Sequence, residues 1–515
     1  MRNSFTKNLI WFWENAEKLL VVLFLATFSL NIRKVFLTKH SFLNGEFNEY
    51  TTPSFSLADL LMLTTILIFA TKWLFRQFIR RPEKNITIEN NNHNASRISS
   101  MPGILYIINK IKLTLRQLYS IITCNRDPIQ TSFIFLLLFL LWTGLSVFWS
   151  DFRLVAFYRF AVLAELFLFL AIAAQILKNT KWLNIALFAL VASGLFQSSL
   201  GIAQFLSNQS LGLHWLGESM VGPDINGVAK IIVSGVKHIR AYGTFPHPNI
   251  LAGFLIVPIF ILLGLLTERI RHGTRQSNVS RETFLNTVPA PAVIILLLVL
   301  LLGLVLTFSR SALLGLALGG FIFLWQNLKH LFDRRKSLWI ALVILFLFFS
   351  AYIVSHSKLN FLLSEQSLNE RILYSRVSRE TIAAHPWIGI GIGQFVFEEH
   401  QTYPDLSGWQ YQPVHNIFLL VASELGIIGF FLLFISFLTY MPFYCIKRIT
   451  LLLRRNTELL RLTSYSFCFL IFSFLFISLF DHYFWDIKQG MIIFALPFLF
   501  LAASYQINSS SSHPG

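Results

Sequence analysis

The sequence predicts an all-α, polytopic membrane protein of about twelve transmembrane helices, with both termini in the cytoplasm and two long outward-facing loops. Three observations predict this class. Of the 515 residues, 55% are hydrophobic and only 13% are charged, and the mean hydropathy is +0.62. Apolar stretches of about 17 residues or more recur along the whole chain. Basic residues are also divided unequally between alternate connections, which sets orientation.

The predicted spans are apolar stretches separated by polar or charged connections. In chain order they cover, approximately, 18–32, 55–75, 131–149, 155–177, 182–205, 249–267, 289–308, 311–327, 337–354, 415–440, 463–480 and 489–505. The stretch 292–325 would be about 50 Å long as one helix, which is too long for a single crossing. We therefore expect it to break at its polar interruption, Ser309-Arg310-Ser311.

The Lys and Arg residues indicate which face is cytoplasmic. With the N-terminus inside, 28 of the 42 Lys and Arg residues fall in or beside cytoplasmic segments. Acidic residues have the opposite bias, so the net charge of +17 belongs almost entirely to the inner face. This pattern indicates topology and contact with anionic lipid, and it argues against a nucleic-acid partner.

The chain reads as a single polytopic membrane domain over residues 1–515, with three long loops. The cytoplasmic loop 76–130 contains an Asn- and Ser-rich linker (85–100) and a predicted amphipathic helix on the inner leaflet (104–122). The outer loops cover 206–248 and 355–414.

Two further features bear on class and compartment. The first apolar stretch lacks a small-residue cleavage site, so it is interpreted as a retained span and not a signal peptide. The three cysteines, Cys124, Cys445 and Cys468, lack metal-binding spacing and predict neither a metal site nor a disulfide framework.

Polar residues that could take part in a reaction cluster at the predicted outer boundary of the membrane. They are Arg240, His247, Asn249, Arg310, Arg371, Arg376, Arg379 and His415. Because ATP and nucleotide sugars are absent from that side, chemistry there requires an activated donor such as a lipid-diphosphate-linked sugar. Guanidinium groups bind the leaving diphosphate through forked hydrogen bonds. A histidine with a pKa near 6.5 can take the proton of an acceptor hydroxyl.

Four segments resemble the O-antigen ligase family, in the expected order and around a large outer loop. HNIFLLVASELGIIG (415–429) carries the family's pattern of His, Asn, nine unspecified residues, Gly, two more and a small residue. AYGTFPHPNILAGF (241–254), TFSRSALLG (307–315) and HPWIGIGIGQF (385–395) also look like segments of this family. The resemblance covers roughly residues 130–440.

The resemblance implies transfer of a glycan from undecaprenyl diphosphate to an acceptor hydroxyl or glycan end, at the outer face of the cytoplasmic membrane. It also implies an inverting reaction with no cofactor, no metal and no nucleotide sugar. Arg240 and Arg310 match the family's diphosphate-binding arginines and His415 its essential histidine, while Arg371 is a looser match. Further candidate substrate-binding residues are Asn416, His247 and Asn249. Ligase and polymerase remain alternatives, and the acceptor, whether lipid-linked or another glycan, stays open.

Each of these residues also has a structural alternative. Arg310 would then reach lipid headgroups from a helix hairpin, and Arg240 would be solvated in its loop. His415 would bond to backbone at the start of a helix, and His247, between two prolines, would belong to a rigid turn. Arg376 and Arg379 are interpreted as solvated or headgroup-facing residues.

Glu424 lies inside a predicted span, where ionisable groups are rare and usually functional. It follows His415 by nine residues, which places it on the opposite face of a regular helix and about 13 Å deeper. We therefore interpret Glu424 as a structural group hydrogen-bonded to a neighbouring span. The two following glycines, Gly426 and Gly429, fit close helix packing. GIGIG (389–393) is interpreted as a turn and not a nucleotide-binding loop.

The outer loop 355–414 also carries aromatics that fit either sugar stacking or a membrane-interface belt. They are Trp387, Tyr403, Trp409 and Tyr411. The alternative class of protein is a transporter or flippase without bond chemistry. Transporters place binding groups near the midplane on broken helices, whereas the arginines here lie at the outer rim, which favours an enzyme.

Overall fold

The computed structural model describes residues 2–79, 128–233, 235–272, 288–331, 365–442 and 458–510. Most of these described residues are helical. In chain order the helices are α1 (Arg2–Thr27), α2 (Leu57–Ile79), α3 (Pro128–Ser146), α4 (Arg153–Leu177), α5 (Thr180–Ser207), α6 (Pro248–His272), α7 (Ala290–Leu306), α8 (Arg310–Leu331), α9 (Glu365–Ala384), α10 (Phe395–Thr402), α11 (Ile417–Pro442), α12 (Glu458–Ile477), α13 (Tyr483–Asp486) and α14 (Lys488–Ser510).

The protein is an all-α membrane protein with a few short strands. Five of the described helices are long and apolar enough to cross a membrane: α2, α4, α5, α6 and α11, the first and last two over slightly trimmed ranges. Five shorter apolar helices lie in α3, α7, α8, α12 and α14. Helices therefore occupy eleven of the twelve predicted positions, while the span at 337–354 and most of the cytoplasmic loop 76–130 lie outside the described residues. The total of twelve spans stays a prediction.

The long apolar stretch 292–325 breaks where its polar residues predicted. Helix α7 ends at Leu306 and α8 begins at Arg310. Between them Phe308 adopts a φ of 50°, a left-handed conformation that non-glycine residues rarely use. The turn places Arg310 at the first position of α8, at the same end of the bundle as the start of α6 and α11.

In the described part of the chain, six short strands, none of them predicted, form three antiparallel pairs in connections between helices. Strands β1 (Arg33–Val35) and β4 (Ser54–Ser56) pair with each other, as do β2 (Phe42–Leu43) and β3 (Glu46–Phe47). In the loop before α6, β5 (Lys230–Val233) pairs with β6 (Val236–Ile239), with Ile231 opposite His238. This last hairpin ends one residue before Arg240 and fixes its backbone.

Helix α11 is broken at Gly426, whose φ is 66° and ψ −175°. The segment after α9 fills the break with its backbone: Gly391 donates to the Glu424 carbonyl at 2.7 Å, and Ile427 donates to the Pro386 carbonyl at 2.8 Å. A Cβ on Gly426 would lie 2.2 Å from the Trp387 carbonyl oxygen. The expectation that Gly426 serves helix packing is therefore wrong, since its role is a break that admits another backbone.

The other glycines of these segments follow two different rules. Gly429 does serve helix packing, because a Cβ there would lie 3.1 Å from the Trp142 ring of α3. Gly389, Gly391 and Gly393 all have positive φ, which confirms the turn predicted for GIGIG. A Cβ on Gly389 would lie 2.4 Å from the Glu424 backbone, so the turn also depends on close backbone approach.

Candidate active site

Arg240 is held in a buried position at the end of β6. Its Nε donates to the Thr307 carbonyl at 2.5 Å, and its Nη2 donates to Asn249 Oδ1 at 2.7 Å. Burial lowers the pKa of Arg240 to about 10, and the nearby Arg310 charge acts in the same direction. The guanidinium therefore stays protonated at neutral pH. The interpretation of Arg240 as a solvated loop residue is wrong, because it is buried.

His247 and Asn249 form the start of α6. The His247 carbonyl accepts from Ile250 and Leu251, and its ring Nδ1 accepts from the Asn249 backbone N–H at 3.2 Å. Pro248 occupies the first helical position, where its missing N–H costs nothing. Burial, together with the charges of Arg240 and His482, lowers the pKa of His247 to about 3. His247 is therefore a neutral residue that caps the helix.

Asn249 connects the loop before α6 to the turn after α12. Its side-chain oxygen accepts from Arg240, and its amide donates to Asp481 Oδ2 at 2.7 Å. A half-buried amide that pairs at both ends restricts the orientation of both partners. Arg240, Asn249 and Asp481 thus form one connected polar chain.

The turn after α12 contributes a histidine that is paired with a carboxylate. His482 Nδ1 contacts the two Asp486 oxygens at 2.8 and 3.0 Å, and both side chains are buried. The His482 backbone N–H donates to Asp481 at 3.0 Å. Burial alone would lower the pKa of His482, but the Asp486 and Asp481 carboxylates raise it above its ordinary value.

His415 lies between two aromatic rings, just before α11. Its ring is parallel to Tyr374 of α9 at a centroid distance of 5.8 Å and perpendicular to His482 at 4.8 Å. Its Nδ1 is buried and has no hydrogen-bond partner among the described residues. Burial and the charges of His482 and Arg371 lower its pKa well below 6.5. The expectation of an ordinary histidine pKa is wrong, and the resting imidazole is neutral.

Arg310 and Arg371 complete the cationic side of the site. Both side chains are exposed, Arg310 at the start of α8 and Arg371 on α9. The Arg371 charge acts on His415 and on Asp481, and the Arg310 charge acts on Arg240. The two arginines therefore lie close enough to His415 and Arg240 to act on them electrostatically.

Asn416 caps α11. Its side-chain oxygen accepts from the Leu419 backbone N–H at 3.1 Å, an N-cap interaction. Its amide donates to the Leu479 carbonyl at 3.2 Å, and the Ile417 N–H donates to the Ser478 carbonyl at 2.9 Å. The residue thus fixes the direction of His415 and docks α11 against the turn after α12.

Glu424 has a partner, and it is not His415. The indole N–H of Trp485 in α13 donates to Glu424 Oε2 at 2.9 Å. Because α13 also carries Asp486, Glu424 supports the turn that holds His482. We predicted a hydrogen bond from Glu424 to a neighbouring span; the hydrogen bond is present, but its donor lies on the short helix α13.

Among the loop aromatics, Tyr411 is fully buried and donates to the Tyr403 carbonyl at 2.9 Å. Its interpretation as a sugar-stacking residue is therefore wrong. Trp387 and Trp409 are exposed, so stacking on these two remains a prediction.

The structure brings all seven predicted site residues to one end of the bundle. Sequence reasoning missed four others: Tyr374, Asp481, His482 and Asp486. A signal for three of them was available in DHYFWD (481–486), where ionisable residues interrupt the boundary between two apolar helices. Nothing in the local pattern around Tyr374 points to His415.

Fold and site together define a helical membrane protein with a cluster of arginine and histidine side chains at one end of its helices. Residues 295–434 match a family described as O-antigen ligase. The recognition of the O-antigen ligase family from the sequence motifs is thereby confirmed, and this segment contains Arg310, Arg371 and the His415-Asn416 pair. The match to this family supports glycosyltransferase-type activity. A search of curated proteins found no significant match to the chain.

Proposed function

We propose that this protein transfers a glycan from an undecaprenyl diphosphate carrier to an acceptor hydroxyl at the outer face of the cytoplasmic membrane, in the manner of an O-antigen ligase. The observation that carries the proposal is the position of neutral His415 beside the group of Arg240, Arg310 and Arg371. A proton acceptor and an anion-binding group are thus adjacent, as a glycosyl transfer from a diphosphate requires.

The arginines fit the leaving group. Arg310 stands at the N-terminus of α8, where a cation interacts unfavourably with the helix dipole and gains nothing for stability. Helix N-termini favour anions, so a bound diphosphate would reverse this unfavourable placement. Arg240 is fixed by two hydrogen bonds and needs little reorganisation when charge develops on the departing phosphate oxygen.

A long apolar cavity fits the lipid part of the donor. The cavity has a volume of about 720 Å³ and lies between α3, α4, α11, α12 and α14, within the size range of ligand-binding pockets. At its outer end lie Ile417 and Trp485, close in sequence to His415 and His482. A polyprenyl chain in this cavity would present its diphosphate to the arginines.

In the proposed reaction the acceptor oxygen attacks the anomeric carbon as its proton passes to His415. The bond between that carbon and the diphosphate breaks, and its electron pair stays on the phosphate oxygen held by the arginines. Attack from the side opposite the leaving group inverts the anomeric centre. His247 and Asn416 hold helix ends, and Asn249 orients Arg240, so we assign these three to positioning the site.

A polymerase of the same family would use the same residues and differ in its acceptor, a growing glycan end. A transporter or flippase is the alternative without bond chemistry. The paired and buried placement of Arg240 and the orphaned nitrogen of His415 favour fixed catalytic groups over a substrate path.

The test is transfer from purified undecaprenyl-diphosphate glycan in nanodiscs, with EDTA present and no nucleotide sugar. His415→Ala should lose about 10²–10⁴-fold in rate while the protein still inserts and remains folded. His415→Asn keeps a polar side chain but cannot take a proton, so it should be nearly as poor. Normal turnover by His415→Asn would rule out the proton-accepting role, and no transfer by the wild type would rule out the enzyme.

A further inference from the structure

The second histidine of the site, His482, lies in a turn that the family match over 295–434 does not include. Its Nδ1 contacts the Asp486 carboxylate at 2.8 Å. Because a carboxylate accepts hydrogen bonds, Nδ1 must carry the proton, which leaves Nε2 as the nitrogen that can gain one. No hydrogen bond to Nε2 occurs within the residues that the structure describes, and the ring faces His415 at 4.8 Å.

The two histidines differ in what surrounds them. His415 has its Nδ1 buried without a partner in the described chain, and a proton on its ring would lie near the positive charge of Arg371. His482 lies between two carboxylates, Asp486 on its ring and Asp481 on its backbone. A positive charge is therefore unfavourable on His415 and compensated on His482.

Three contacts keep this turn rigid. Arg159 of α4 donates to the Asp486 carbonyl and, at 2.7 Å, to the Tyr50 carbonyl. Trp485 is fixed by Glu424, and Asp481 by Asn249. The carboxylate–histidine pair is thus preorganised, which is the condition under which a positioned partner alters the chemistry of its neighbour.

We propose that the His482–Asp486 pair is the final proton acceptor of the transfer reaction and that it acts through His415. The acceptor O–H bond breaks as the new glycosidic bond forms, and the proton moves to His415. One proton then passes from His415 to Nε2 of His482, so His415 returns to its neutral form. Asp486 stays ionised and holds Nδ1–H. His482 acts only through His415 and is in that sense a positioning residue. This inference rests on the proposed function.

Several titratable or charged groups face His482 and affect its pKa. They are Asp481 and Asp486 on its own segment, Tyr50 from the loop before β4, Arg371 of α9, His415 before α11 and His247 before α6. The Asp486 and Asp481 charges raise the pKa of His482, and Arg371 lowers it. Below that pKa the ring is already protonated and cannot accept, so kcat should rise with pH through a value above about 6.5.

The experiment is the pH dependence of kcat and KM for glycan transfer by the full-length protein in nanodiscs. Asp486→Asn removes the carboxylate that stabilises the cation, so the rising limb of kcat should move to lower pH by about 1–3 units. Its plateau should also fall, because the histidine becomes a weaker base. His482→Gln should abolish this limb and lower kcat by about 10²-fold with KM nearly unchanged. Asp486→Glu keeps the carboxylate and should restore the limb.

Matched controls are His214→Gln and Asp405→Asn, both at exposed positions away from the site. An unmoved limb in Asp486→Asn, with kcat reduced in proportion to folded protein, would overturn the inference, as would normal kcat in His482→Gln. Either result alongside an inactive His415→Ala would leave the proposed function standing. Absence of transfer by the wild type would instead overturn the proposed function itself.

Discussion

Asn249 donates its side-chain amide to Asp481 across 2.7 Å and so ties the start of α6 to the turn after α12. The two residues are 232 positions apart in the chain. Through the other end of the same amide, the tie extends to Arg240. The anion-binding side and the histidine side of the site are therefore one connected structure, and a change at the connecting residue should affect both.

Asn249→Ala should reduce transfer by tenfold or more and lower the melting temperature. It removes one hydrogen bond from each of the buried Arg240 and Asp481 side chains, at a cost of about 1–3 kcal/mol per group. Rate per folded protein and thermal unfolding in detergent are the two measurements. Gln401→Ala, at an exposed position of α10, is the matched control. Wild-type rate and stability in Asn249→Ala would show that the bridge has no role.

Arg310→Lys should impair transfer strongly although it keeps the charge. Lysine presents a compact ammonium and loses the planar fork that matches a diphosphate. Arg376→Ala on the exposed face of α9 should be nearly silent, and it serves as the control for loss of a cation at this surface. The measurement is the rate of glycan transfer by each variant at a saturating concentration of acceptor. If Arg310→Ala transfers normally, the arginine only contacts lipid headgroups.

Glu424→Gln should retain most activity, because the amide oxygen can still accept from the Trp485 indole. Glu424→Leu removes the acceptor and leaves the indole N–H unpaired, so it should lower stability and, through the 482–486 turn, activity. Both variants are compared by transfer rate and by thermal unfolding. Collapse of activity in Glu424→Gln at normal stability would assign a chemical role to this carboxyl group.

Gly426→Ala should sharply reduce the yield of folded protein. Its positive φ combined with a ψ near 180° is a conformation essentially restricted to glycine and costs an alanine about 1–3 kcal/mol, and the new methyl group would lie 2.2 Å from the Trp387 carbonyl oxygen. Gly320→Ala in α8 is the matched control, since nothing lies within 4 Å of a Cβ there. Fluorescence size-exclusion chromatography of tagged variants measures the yield. Equal yields for the two variants would contradict the break assigned to Gly426.

Alkaline phosphatase fused after residue 230 or residue 400 should be active, because both positions lie in proposed outer loops. Fusions after residue 90 or residue 275 should be inactive, as expected for cytoplasmic connections that are rich in Lys and Arg. A cytoplasmic reporter at the same four positions gives the reciprocal pattern. Phosphatase activity at residue 90 would reverse the orientation and place the site on the wrong side.

The fold class and most helices could be predicted because both depend on local composition. A helix must satisfy its backbone within itself at membrane depth, so a run of apolar residues is enough to locate it. The break before Arg310 followed from the length of the apolar stretch and from its polar interruption. The break in α11 did not, because Gly426 looks like any small residue of a packed helix until the backbone of 386–391 is placed beside it.

The sequence by itself determined the helical membrane class, the positions of the long apolar helices that the structure describes and seven polar residues of the site, since each of these follows from hydropathy, charge or a short motif. Only the tertiary structure decided how those residues pair. Asp481 contacts Asn249, which is 232 positions away in the chain. His482 contacts His415 although two helices, α11 and α12, separate them in the chain. Such pairs depend on which side chains share a buried, low-dielectric space. Burial there lowers the pKa of His415, whereas the Asp486 carboxylate raises the pKa of His482.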